Sequence, residues 1–244
     1  MKSEQEREAW LAERKNHVTA SDVAAVMGLN PNKTRKVVFR DKVYAGAAKD
    51  IDRLPMVMAG KHLESGILSW HLAHRGFDGY GWEAGDARID QLGEARCSRI
   101  TGSGLVRHPT SRVLAATPDA IVWSVEGGLR VTEIKNVGQD KALTDWTQEF
   151  KRGEWSNIPD ACVLHAMPYQ KINKDALRAP IYYWAQLQAQ MSCLGIPQGR
   201  IVVAFGGNAR ADLDFRLHVG FETAMLDELD RFWKEVLNTR ELNE

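Results

Sequence analysis

The sequence predicts a single α/β domain over residues 1–244, and three observations point to it. Apolar residues recur at helical spacing toward both ends, the middle is rich in β-formers bounded by turn residues, and no repeat or clean linker divides the chain. Hydrophobic residues make up 44% and charged residues 26%, a balance that suits a chain burying a sizeable core.

The elements follow in order. Ser3 to Glu6 reads as a capping box opening a short helix through Trp10 and Leu11. Thr19 and Asp22 form a second possible capping box, and Gly28 with Asn30-Pro31 ends that helix. Residues 31–55 are basic and polar, with a possible helix across Val37–Tyr44. Helical spacing returns from Met56 to His74, placing Leu63, Ile67, Leu68 and Leu72 on one side. Leu114–Thr117, Ala120–Ser124 and Leu129–Lys135 read as strands, the last two joined by a turn at Glu126-Gly127-Gly128. Residues 136–178 carry Trp146, Trp155, Pro159 and Pro168 and give no clear period. Pro180 opens a helix to about Leu194, stopped by Gly195 and Pro197. Ile201–Phe205 is a continuous apolar strand and Leu213–Val219 alternates. A closing amphipathic helix turns Phe221, Met225, Leu229, Phe232, Val236 and Leu237 to the core.

Several function classes are disfavoured. Lys plus Arg and Asp plus Glu both number 32, so the basic excess of a DNA-coating protein is absent. A nuclease is less constrained, because carboxylates that hold its metal offset part of a basic groove. Cys97, Cys162 and Cys193 contain no CxxC pair, which leaves a zinc knuckle or iron–sulfur cluster without ligands and favours buried reduced thiols. The polar start, MKSEQEREAW, lacks an apolar signal core, and no apolar run approaches ~18 residues. No membrane contact and a cytoplasmic location are expected.

The chemistry concentrates around one strand. Alternation places Glu133 and Lys135 on the same face of Leu129–Lys135, roughly 7 Å apart. Across the glycine turn, Asp119 follows Pro118, which cannot donate to a ladder and so marks where the Asp side chain can leave the sheet. Two carboxylates at a strand edge suit a hard cation such as Mg²⁺, and Lys135 adds positive charge for a phosphodiester in flight. The bland reading is a surface Glu–Lys neighbourhood beside a turn Asp. Glu64 supplies a third acid upstream, although a lone helical Glu is often only solvated. Tyr183, Gln186 and Gln190 share one helix face, either as site residues or as an exposed polar stripe. Arg14 with Thr19 and Ser21 at a helix start offers an anion site, or simply a cap.

Taken in order, Trp10, Arg14, Thr19-Ala-Ser21-Asp22, Gly60-Lys-x-x-Glu64, Thr117-Pro-Asp119, Glu133-Ile-Lys135 and Tyr183-x-Ala-Gln186-x-Gln188 resemble the lambda-type phage exonucleases. These belong to the YqaJ-like viral recombinase group of the PD-(D/E)xK nuclease superfamily. The resemblance implies a restriction-endonuclease-like core, a central mixed β-sheet flanked by helices. It further implies 5′→3′ digestion of one strand of linear duplex DNA by a ring-shaped homotrimer, with the 3′ overhang passed to a single-strand annealing protein. By position, Asp119, Glu133 and the Ile134 carbonyl would bind Mg²⁺ (with Mn²⁺ able to substitute) and Glu64 would support the metal. Lys135 would activate water, Gln186 and Tyr183 would line the site, and Arg14, Ser21 and Thr19 would hold the 5′-phosphate. One departure stands out: 50 residues separate Lys135 from Gln186, about twice the interval the resemblance implies, so residues 136–178 read as an insertion. That insertion leaves room for an endonuclease or single-strand nuclease on the same core, and less so for a non-catalytic DNA-end-binding protein.

Overall fold

The computed structural model describes residues 4–44, 55–75, 78–81, 96, 100, 104–124, 128–138, 146, 161–166, 177–206 and 209–242. Helix α1 (Glu4–Arg14) leads to a short strand, β1 (Val18–Thr19), that passes directly into α2 (Ala20–Val26). Next come α3 (Arg35–Val43), capped by the Thr34 side chain accepting from Val37 N–H, and the long α4 (Pro55–Arg75). Strands β2 (Asp78–Gly81), β3 (Val106–Arg107), β4 (Leu114–Ala116), β5 (Ala120–Ser124), β6 (Gly128–Val137) and β7 (Ala161–Ala166) follow. The chain ends with α5 (Ile181–Leu194), β8 (Gln198–Phe205), β9 (Ala209–Arg216) and α6 (Val219–Glu241).

Six strands form a mixed sheet in the order β2-β5-β6-β8-β9-β7, with a small second sheet β1-β4-β3. Within the large sheet β6 and β8 run parallel and the other neighbours antiparallel. The middle of β6, Val131–Ile134, is buried, and both faces of the strand contribute to the core. On one face Val131 and Val137 join Ile201, Val203, Leu213 and the α5 side chains Trp184, Leu187 and Met191 in the main core. On the other, Ile134 packs with Ala120, Val122, Val202 and Ala204 beneath Ile67 and Leu68 of α4. The sheet therefore separates α4 from α5, and both helices pack on β6 and β8 from opposite sides.

Helix α5 starts after Pro180 and stops at Gly195, whose φ of +63° is the left-handed conformation that glycine adopts freely. The mixed sheet and flanking helices match the expected fold class, but several boundaries do not. Leu63 of α4 and Leu237 of α6, both expected to face inward, are exposed. Strand β9 begins at Ala209, and Val219 already belongs to α6. Charged residues disguise that strand: Arg210 and Asp212 are fully buried because they pair with one another at 3.2 Å. His71 of α4 also lies 3.2 Å from Asp212. Nor does the second capping box form. Thr19 is the N-cap of α2, yet its hydroxyl donates to the Asp22 carboxylate at 2.9 Å instead of accepting a helix N–H. Ser3, the Glu126-Gly127 turn, Cys97 and the body of the insertion, including Trp155, lie outside the described residues.

Candidate active site

The register of β5 against β6 explains what the Pro-Asp pair does. Ala120 is opposite Thr132, so the ladder extended by two residues sets Pro118 opposite Ile134. Pro118 has no N–H to give the Ile134 carbonyl. The other half of that pairing is supplied by the next residue: Asp119 Oδ2 accepts the Ile134 N–H at 2.8 Å. In a strand a residue's N–H and C=O point to the same side. The Ile134 carbonyl therefore faces the Asp119 side of β6, where β5 has ended.

Glu133 and Lys135 project toward α5, and the helix meets them with a matched row of side chains. Gln186 Nε2 donates to Glu133 Oε1 at 2.5 Å, and Gln190 Nε2 donates to Glu133 Oε2 at 2.5 Å. Lys135 Nζ also contacts Glu133 Oε1 and sits 4.9 Å from the centre of the Tyr183 ring. Spacing of three and four residues brings Tyr183, Gln186 and Gln190 onto one stripe. Glu133 is only 1% exposed, so each carboxylate lone pair needs a partner. Trp146, within the stretch read as an insertion, stacks on Tyr183 at 5.7 Å and is itself buried. Its role here is packing.

Gln188 belongs elsewhere. Its Nε2 donates to the Arg216 carbonyl at 3.0 Å and its Oε1 accepts His218 N–H at 2.8 Å, tying α5 to the β9–α6 junction. The helical stripe places Gln190 at the carboxylate, although the Gln-x-Gln pattern draws the eye to Gln188. Geometry sides with the helix period.

Burial and then the adjacent Glu133 push the Asp119 carboxyl well above the ordinary carboxylate range; Lys135 offsets part of this and Glu64 adds to it. Burial would lower the Lys135 pKa, but Glu133 and Asp119 outweigh that and hold the ammonium firmly protonated. Two carboxylates that repel one another in a dry corner are suited to a cation between them. Asp119, Glu133 and the Ile134 carbonyl are hard oxygen donors that fit Mg²⁺ or Mn²⁺. Among the described residues no three His, Cys, Asp or Glu side chains converge as a ligand cluster. Glu64 on α4 thus acts on Asp119 through its field without completing such a trio.

The N-terminal residues build a second polar site. Arg14 Nη2 donates to Thr19 Oγ1 and to Ser21 Oγ, each at 3.2 Å, and its guanidinium stacks 4.2 Å from the Trp10 ring centre. Behind them the buried Asp22 accepts from Lys33 at 2.8 Å and pairs with Lys42 at 3.2 Å. Burial alone would raise the Asp22 pKa, but Lys42 and Lys33 hold it well below the usual range. Trp10 Nε1 donates to Thr117 Oγ1 at 3.4 Å, joining this cluster to the Thr-Pro-Asp segment. The signal for Lys33 and Lys42 in the sequence was only the basic stretch after α2, whereas Asp22 read as a capping residue.

Comparison with known proteins puts this geometry in a lineage. Residues 9–197 match the model of the YqaJ-like viral recombinase domain. The alkaline exonuclease LHK-Exo from Laribacter hongkongensis superposes with a TM-score of 0.61 at 18% identity, covering 96% of this chain and 95% of that one. The same enzyme in complex with dAMP gives a TM-score of 0.58 at 19% identity and the same coverage. No curated protein matches the chain. The solved structures share the fold, and because the family match spans well over half its length, the chain belongs to the YqaJ-like viral recombinase domain family.

Proposed function

We propose that the chain is a divalent-metal-dependent deoxyribonuclease that digests one strand of linear duplex DNA from its 5′ end. The observation that carries this reading is the direct link between two sites: Trp10 stacks on Arg14 and hydrogen-bonds Thr117, two residues before Asp119. An anion-binding cluster thereby sits in fixed relation to a carboxylate–lysine centre. Family membership supports the same reading.

Asp119, Glu133 and the Ile134 carbonyl hold the metal, most naturally Mg²⁺, and Glu64 strengthens the negative field around Asp119. When bound, the metal supplies Lewis-acid activation of water and charge neutralisation at the phosphodiester. The Lys135 ammonium orients the attacking water and stabilises charge as it develops on the phosphoryl oxygens. Tyr183 and Gln186 wall the site and keep Lys135 and Glu133 in place. Arg14, Thr19 and Ser21 hold the 5′-terminal phosphate, Arg14 by charge-assisted hydrogen bonds. The resemblance that suggests strand polarity also suggests a ring-shaped homotrimer that passes its 3′ overhang to a single-strand annealing protein. Among the described residues no helix is long and apolar enough to cross a membrane.

The test is digestion of linear duplex and covalently closed circles with Mg²⁺, beside a size-exclusion measurement. Linear DNA alone should be degraded, by a trimer. Equal rates on circles would replace the proposal with an endonuclease. Lys135→Ala should lower kcat by about 10²–10³-fold with duplex affinity retained, and wild-type turnover in that variant would remove Lys135 from the mechanism.

A further inference from the structure

The lone pairs of Glu133 are unequally committed. An ionised carboxylate offers about four acceptor positions, two on each oxygen. Oε1 already receives two donors, the Lys135 ammonium and the Gln186 amide. Oε2 receives one, the Gln190 amide. Among the described residues one acceptor position thus remains, on Oε2, and it is the one open to a cation approaching Glu133. Gln190 is completely buried and acts on that same oxygen, so its amide fixes the plane and rotation of the carboxylate. The other end of its amide, Oε1, has no hydrogen-bond donor among the described residues, so the contact with Glu133 is the one that orients the side chain.

We infer that Glu133 ligates the metal through Oε2 and that Gln190 is the positioning residue which presents this oxygen and thereby sets metal affinity. This rests on the metal-nuclease reading above. Gln186 and Gln190 then divide the work: the first, with Lys135, holds the non-ligating oxygen, and the second holds the ligating one. Gln188, between them in sequence, contributes to stability alone through Arg216 and His218. Outer hydrogen bonds to a ligand of this type characteristically change metal affinity by ~10–100-fold.

The experiment measures Mn²⁺ binding to the full chain by calorimetry without DNA, for wild type, Gln190→Met, Gln190→Asn and Gln188→Met. Met preserves volume without a donor. Asn keeps a buried amide one methylene too short and serves if the Met variant fails to fold. Both Gln190 variants should bind Mn²⁺ about 10–100-fold more weakly, with nuclease kcat recovering as Mn²⁺ is raised. Gln188→Met should melt at lower temperature in chelator yet bind Mn²⁺ like wild type. Unchanged Mn²⁺ affinity in the Gln190 variants overturns the role of Gln190 and leaves the nuclease reading standing. A wild-type protein that binds no Mn²⁺ overturns both.

Discussion

Gly199→Ala tests whether the spacing between α5 and the sheet sets the geometry at Glu133. Gly199 lies on β8 opposite Val131 of β6, two residues along that strand from Glu133. A Cβ placed there would stand 2.6 Å from Met191 Sδ and 3.0 Å from both terminal carbons of Leu187. Ordinary carbon contacts are near ~3.5–4.0 Å, so these groups must retreat by roughly 0.5–1 Å. Leu187 and Met191 are completely buried, and close-packed neighbours leave little room for their ends to swing aside. Where those side-chain ends cannot swing aside, the helix backs away. Gln186 and Gln190 each precede one of the clashing residues, so their 2.5 Å hydrogen bonds to Glu133 would stretch to roughly 3.0–3.5 Å, a range whose upper part lies beyond the usual ~2.7–3.2 Å for N–H···O. Overpacking of this kind costs about 1–3 kcal/mol, and at this chain length each kcal/mol lowers Tm by about 2–4 °C. Calorimetry and kcat at saturating Mg²⁺ should show both a lower Tm and a fall in kcat of on the order of 10²-fold. Gly66→Ala is the control: it sits in α4 with nothing within 4 Å of the added carbon and should gain about 0.5–1 kcal/mol. If Gly199→Ala melts and cleaves like wild type, α5 packing does not govern the site.

Other consequences follow from the two charge clusters. Arg14→Ala should reduce kcat/KM on a 5′-phosphorylated duplex by about 10–100-fold, the value of a charge-assisted hydrogen bond of ~1.5–3 kcal/mol, and leave a 5′-hydroxyl duplex unaffected. An equal loss on both ends would show that Arg14 does not read the phosphate. Asp22→Asn leaves the ammonium of Lys42, 8% exposed, without its carboxylate, and should destabilise the protein by about 3–5 kcal/mol in denaturant at pH 7. Because Lys42 and Lys33 depress the Asp22 pKa against the effect of burial, its contribution is present above the unfolded value and is lost as pH falls through the lower folded one. The deficit of the variant should therefore persist at neutral pH and narrow only below about pH 4. Asp119 has the opposite sign: burial and Glu133 raise its pKa, so it subtracts stability increasingly as pH rises past its unfolded value. Metal-free Asp119→Asn should melt above metal-free wild type at pH 8, while Mg²⁺ should stabilise wild type alone; a lower melt in the variant would contradict the crowded-carboxylate account.

The parts of this site that could be read in the sequence are those whose placement obeys a local period. Alternation along β6 put Glu133 and Lys135 on one face, and the helical period put Tyr183, Gln186 and Gln190 on one stripe; both are properties of a few neighbouring residues. Asp119 is of the same kind, since its exit from the sheet follows from Pro118. The β9–β7 side of the sheet was not legible. Arg210, Asp212 and Arg200 lie at inward positions, and a charged residue looks solvent-facing until its partner is known. One partner of Asp212, His71, is more than 100 residues away in the chain. Asp22 shows the same limit: it reads as a capping residue, but the two lysines that decide its state lie on the next loop and helix.

The three glutamines of α5 show where pattern and physics part. A sequence pattern groups Gln186 with Gln188 because they are near neighbours in the chain. On a helix, two residues apart means roughly 200° around the axis, whereas four apart is nearly the same direction. A buried carboxylate with two oxygens needs donors from one direction, and only the pair at 186 and 190 can supply them together. Gln188 faces the loop before α6, where a backbone carbonyl and an N–H require the two ends of an amide. One residue type thus serves two purposes on one helix, and which purpose is decided by the angle at which the helix presents it.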